Sequence, residues 1–162
     1  MKLVGNWNFP TLVRFGAGRI AELPQACATL GTKAPVLVTD PGLAKLPMIA
    51  NAVNLCTQAR LKCEVFSDLQ PNPVEENVTR GVAAYKAGKH DGVIAFGGGS
   101  ALDVRKAIPL VVGQNRSTFD FEDREDWYTR VNVAGMAPAV AVPTTAGTGS
   151  EVGRSSVITD VR

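Results

Sequence analysis

The chain has 162 residues, 45% hydrophobic and 20% charged, which excludes a disordered tail or a coiled coil. Lys and Arg total 17 and Asp and Glu 15, a formal charge of +2 that gives no basis for a nucleic-acid surface. No run of about 18 apolar residues is present, and no apolar signal segment follows Met1, so a cytoplasmic protein is expected.

The first periodic run, Thr11 to Phe15, reads as a strand of an N-terminal β-hairpin or an edge strand, because Pro10 precedes it and Arg14 lies within it. It leads into Gly16-Ala17-Gly18-Arg19-Ile20-Ala21, which matches the dinucleotide fingerprint G-x-G-x-x-A. Two features weigh against that match: the edge character of the strand, and Pro24, which is expected to break the following helix. Pro35 to Asp40 is a short apolar run ending in an acid, a buried strand. Residues 47–60 carry Ile49, Val53, Cys56 and Ala59 at helical spacing. Lys62 to Phe66 alternates as a strand, and residues 69–73 hold two prolines and form a loop. Val74, Val78, Val82 and Tyr85 mark a helix that ends at Gly88.

Asp91 to Phe96 is another buried strand and runs into Gly97-Gly98-Gly99-Ser100. A helix follows over 100–112, which Pro109 is expected to disturb or end. The charged, aromatic stretch 116–130 reads as an excursion, with Trp127 and Tyr128 as packing residues and the acids of 120–126 as a solvated face. Residues 137–142 form a strand, 143–150 a Thr/Gly/Ser loop, and 155–160 a last strand. Strands alternating with helices predict an α/β fold: a Rossmann-like, mostly parallel sheet with helices on both faces, one dinucleotide-binding domain over 1–162.

Ligands in such sheets bind beyond the C-terminal strand ends. Three ends are unusual here. Gly97, Gly98, Gly99 and Ser100 leave backbone N–H groups bare at a helix start, suited to a phosphate. Asp40 suits either the two hydroxyls of an adenosine ribose or a turn. Thr144, Thr145 and Thr148 offer hydroxyl donors without bulk, in either a ligand loop or a plain connection. No Walker A loop, G-x-S-x-G elbow or H-E-x-x-H motif is present. Cys27, Cys56 and Cys63 form no C-x-x-C pair and read as reduced thiols, and His90 alone makes no metal site.

Residues 97–108 resemble the glycine-rich segment of the iron-containing (group III) alcohol dehydrogenases, and 143–152 resemble that family's second signature. Leu37 to Asp40, Pro71 to Pro73 and Val157 to Asp160 fall where the family has similar segments. The family has two domains: the first binds the nicotinamide cofactor, and the helical second carries a divalent metal, Fe²⁺ in the type case, on one Asp and three His. This chain resembles the first alone. The resemblance therefore implies no metal ligand and no catalytic residue within these residues, and a fragment inactive by itself.

It also implies that Asp40 holds the adenosine ribose of NAD and repels the 2′-phosphate of NADP. Gly97 to Ser100 would cradle the pyrophosphate. Thr144, Thr145 and Thr148 would line the cofactor and nicotinamide side, and Asp103 would face the cofactor cleft. The Gly16 loop becomes an ordinary hairpin turn. Arg105 departs from the family, which more often has a small residue there. The implied chemistry is hydride transfer between NAD and a small alcohol or aldehyde, in a protein that could be a homodimer. A non-catalytic nucleotide-binding module is the alternative. Half of a glycerol-dehydrogenase-like or dehydroquinate-synthase-like enzyme is another, disfavoured by the 143–152 segment.

Overall fold

The computed structural model describes residues 4–8 and 11–161. Pro10, which entered the edge-strand expectation, lies outside them. Four strands form one parallel sheet: β3 (Pro35–Val38), β4 (Glu64–Phe66), β5 (Gly92–Gly97) and β6 (Ala139–Pro143), in the order β4-β3-β5-β6. Before them, β1 (Val4–Asn8) and β2 (Leu12–Gly16) pair antiparallel as a separate two-stranded sheet, the expected N-terminal hairpin.

The period of two along a strand sorts side chains onto two faces. Val36, Val38 and Val93 face α3 (Glu75–Ala87) and α4 (Gly99–Val111), where Val78, Val104 and Ile108 complete one core. Leu37, Ile94 and Phe96 face α1 (Leu23–Thr29) and α2 (Pro47–Gln58), where Leu23, Cys27, Ile49 and Cys56 complete the other. Every residue of β3 and β5 is buried. Burial on both faces is why these strands read as continuous apolar runs rather than alternating ones.

Five expectations are corrected. Residues 155–160 form no strand; one parallel bridge, Val74 with Thr159, is all that pairs there. Ser155 and Ser156 are instead tied to α4, Lys106 Nζ donating to the Ser155 carbonyl and Ser156 Oγ to the Asp103 carbonyl. Pro109 does not end α4: it sits inside the last turn and forgoes one bond to the Arg105 carbonyl, and its own carbonyl accepts from Ala137 N at 3.0 Å. The Gly16 segment is not a hairpin turn. It carries β2 into a 3₁₀ turn at Arg19–Glu22 and then α1, where Pro24 occupies the first turn and starts the helix rather than breaking it. Tyr128 is 73% exposed and packs on nothing substantial, while Trp127 is stacked by the Arg130 guanidinium 3.8 Å from its ring centre.

Candidate cofactor site

The chain leaves β3 through α2 toward β4 on one side, and leaves β5 through α4 toward β6 on the other. Adjacent parallel strands whose exits diverge open a crevice at their C-terminal ends, where ligands bind in this class of sheet. The crevice is a cavity of about 390 Å³, walled by Asp40, Pro41 and Gly42 after β3 and by Gly98, Gly99, Ser100 and Ala101 after β5. Leu69, Gln70 and Pro71, after β4, close its third side. Sequence reasoning missed this third wall; applying the strand-end rule to β4 as well would have found it.

Asp40 makes the turn and keeps its second oxygen out of it. Its Oδ1 accepts from the amides of Gly42 at 3.0 Å and Leu43 at 2.9 Å, an Asx-type turn that starts the 3₁₀ segment at Leu43–Lys45. Its Oδ2 faces the turn after β5: a Cβ placed on Gly97 would lie 3.7 Å from it.

Gly97 itself is required by its backbone. Its φ is +156°, and an added Cβ would sit 2.9 Å from the Ala101 Cβ. Gly98 is the N-cap of α4 and brings no capping side chain, so the first helical amides point unclaimed into the crevice at the positive end of the helix dipole. Ser100 lines the cavity as the second helical residue and is not the cap.

Thr144 starts the loop after β6, its amide donating to the Gly97 carbonyl at 3.0 Å. Thr145 and Thr148 stand over the glycine turn: Cβ atoms added at Gly98 and Gly99 would meet Thr145 Oγ1 at 3.3 Å and Thr148 Cγ2 at 3.6 Å. Residues 144–148 are exposed. Thr144 and Thr145 also line a second, larger cavity of about 800 Å³ between the hairpin, α1 and β6.

Asp103 does not face the crevice. It is 8% exposed, and its Oδ1 accepts from Ser150 Oγ at 3.2 Å and meets Lys106 Nζ at 3.1 Å. Arg105 is buried as well, its guanidinium lining the second cavity and reaching the Ser150 carbonyl at 3.5 Å. That cavity is what accommodates its bulk. Burial lowers its pKa, and the nearby charges of Asp103 and Glu151 oppose that shift.

The rival fingerprint does not line the crevice: Gly16, Arg19 and Ile20 line the second cavity, with Thr144 and Thr145. Arg19 is occupied by Glu22 at 2.6 Å, Asn6 Oδ1 at 2.8 Å and the Gly5 carbonyl at 3.0 Å. Among the described residues, no His, Cys, Asp and Glu side chains gather into a group that could hold a metal ion. They do not fit the divalent metal that the family resemblance implies. His90 sits just before β5, at the opposite edge of the sheet from the crevice, with Nδ1 3.0 Å from the Ala34 carbonyl. No helix among the described residues is long and apolar enough to cross a membrane.

Residues 10–162 match the family profile described as iron-containing alcohol dehydrogenase. A choline dehydrogenase of Bacillus subtilis is 34% identical over 160 residues, covering 99% of this chain and 39% of the relative. An archaeal alcohol dehydrogenase from a Red Sea brine pool superposes with a TM-score of 0.78 at 28% identity, over 88% of this chain and 36% of that one. The sulfoacetaldehyde reductase of Bifidobacterium kashiwanohense, solved in complex with NAD⁺, superposes with a TM-score of 0.73 at 29% identity, over 86% and 35% of the two chains. The chain thus spans about two-fifths of the length of the curated relatives it matches. Over that span, glycine turn, threonine loop and parallel sheet together place the chain in the iron-containing alcohol dehydrogenase family.

Proposed function

We propose that residues 1–162 are the dinucleotide-binding domain of a metal-dependent alcohol dehydrogenase that moves a hydride between a small alcohol or aldehyde and NAD. The observation that carries this reading is the meeting, at one switch-point crevice, of a carboxylate and an uncapped helix N-terminus, with a threonine loop against the same glycine turn. When bound, the nicotinamide supplies the hydride acceptor or donor. The chain's own residues bind and orient. Asp40 Oδ2 accepts from the ribose hydroxyls, while Oδ1 keeps the turn that aims it. The amides at the start of α4 receive the pyrophosphate charge, and the missing Cβ atoms of Gly98 and Gly99 leave room for it. Thr144, Thr145 and Thr148 direct the nicotinamide end, and the exposed face of their loop is where substrate and the metal would be met by a further domain. Three free thiols fit a reducing, cytosolic setting.

The test is a fluorescence titration of the chain with NADH and with NADPH. Saturable NADH binding with weaker NADPH binding supports the reading. A folded chain that binds neither overturns it.

A further inference from the structure

The loop from Thr144 to Ser156 has almost no regular structure of its own. After the Thr144 amide bond, its backbone-to-backbone bonds are two short closures, Val152 N and Gly153 N to the Gly149 carbonyl at 3.1 and 2.8 Å. Gly147 and Gly149 hold φ of +99° and +69°, and the space around each is open. Such a chain has many conformations to lose, so something outside the loop must select one.

What selects it is one face of α4. Asp103 Oδ1 accepts from Ser150 Oγ at 3.2 Å, and Lys106 Nζ at 3.1 Å compensates the buried charge. Lys106 also donates to the carbonyls of Gly153 and Ser155, and Arg105 to that of Ser150. Ser150, so held, receives no freedom to drift from the turn: its Oγ is 3.7 Å from where a Gly99 Cβ would be, and its amide donates to Thr148 Oγ1 at 3.4 Å. Thr148 in turn covers Gly99. The chain of contacts runs from a helix side chain to the wall above the glycine turn.

We propose that Asp103 is a positioning residue rather than a cofactor contact. It works with Lys106 through Ser150 to fix the threonine loop over the start of α4 before cofactor arrives. This rests on the cofactor reading above. Preorganisation of that kind removes an ordering cost from binding, so its loss weakens affinity without removing a direct contact. The cost falls on the part of the ligand under the loop and spares the adenosine end beside Asp40.

The experiment compares wild type with Asp103→Ala, Asp103→Asn and Ser150→Ala, titrating NADH and AMP separately and following amide exchange across 147–153. Asp103→Ala is expected to weaken NADH about tenfold, the scale of one lost hydrogen bond to a charged group. AMP affinity stays within twofold, and exchange in 147–153 rises. Asp103→Asn keeps an oxygen for Ser150 and recovers most of the affinity. Ser150→Ala reproduces Asp103→Ala, and the double variant is no worse than either single one. Unchanged exchange in 147–153, unchanged NADH affinity, or equal losses for NADH and AMP overturns the positioning role. Wild type that binds neither NADH nor AMP overturns the cofactor reading and the proposal with it. Wild type that binds NADH while the variants fail these expectations overturns the proposal alone.

Discussion

Asp40 shows how the two oxygens of one carboxylate can meet different neighbours. Its Oδ1 builds the turn after β3, and its Oδ2 is left toward the crevice. Charge and turn can therefore be separated. Asp40→Asn keeps an acceptor for the amides of Gly42 and Leu43 while removing the charge that opposes a 2′-phosphate. The ratio of NADPH to NADH affinity should rise at least about tenfold, with the melting temperature held. An unchanged ratio would leave Asp40 as a turn residue only. Gly98 poses the matching question for the phosphate. Its backbone excludes no residue: its φ is −79° with extended ψ, open to any side chain. An added Cβ would meet one atom closely, Thr145 Oγ1 at 3.3 Å, and a threonine hydroxyl can rotate away from it. Gly98→Val should then fold nearly as well as wild type and lose NADH affinity by at least about tenfold. Parallel losses in thermal stability and affinity would return the glycine turn to a purely structural role.

At the scale of elements, Val157 separates a strand from a tether. A paired strand would bury or neighbour it, yet it is 72% exposed, while Ile158 beside it packs against the core. Val157→Ser should change stability by no more than about 0.5 kcal/mol in a denaturant titration. A loss of about 1 kcal/mol or more would mean that the segment pairs after all. On the opposite face of the sheet, α1 buries Cys27, whose thiol burial pushes up to about 12 from an ordinary 9.0, with the neighbouring Cys56 and Asp91 adding to it. The sign follows from linkage: the unfolded thiol loses its proton first, so this contribution is complete below pH 9.0 and declines as pH rises toward about 12. Cys27 should resist alkylation at pH 8 in the native chain and react once the chain is unfolded. Rapid native labelling, read by mass spectrometry, would contradict its burial between α1 and the sheet.

At the scale of the whole molecule, the proposed function makes the crevice one side of a reaction site. The described residues gather no metal-binding group, and His90 belongs to the opposite edge of the sheet. We expect the 162-residue chain to show no alcohol oxidation with NAD, with or without added Fe²⁺ or Zn²⁺. Metal-dependent turnover abolished by a chelator would require ligands outside this description. The substrate names among relatives, choline and sulfoacetaldehyde, differ from one another and belong to proteins of which this chain spans about two-fifths.

The sequence by itself determined the parts governed by near neighbours along the chain. Apolar runs at 35–38 and 92–97 had to be strands buried on both faces, and glycines after Phe96 had to leave a helix start uncovered. Two long motifs were enough to indicate the family. Tertiary structure decided the rest, because those outcomes depend on which distant groups claim a polar atom. Whether Asp103 faced the crevice or the loop turned on Ser150, far along the chain, and on Lys106. Whether 155–160 became a strand turned on α4 taking its serines. Pro109 remains helical at the cost of one bond to the Arg105 carbonyl, because the helix closes beyond it from Val112 N to the carbonyl of the fully buried Ile108. The loop at Leu69 to Pro71 follows a strand legible in the sequence, but β4 pairing beside β3 is what makes it the third wall next to Asp40.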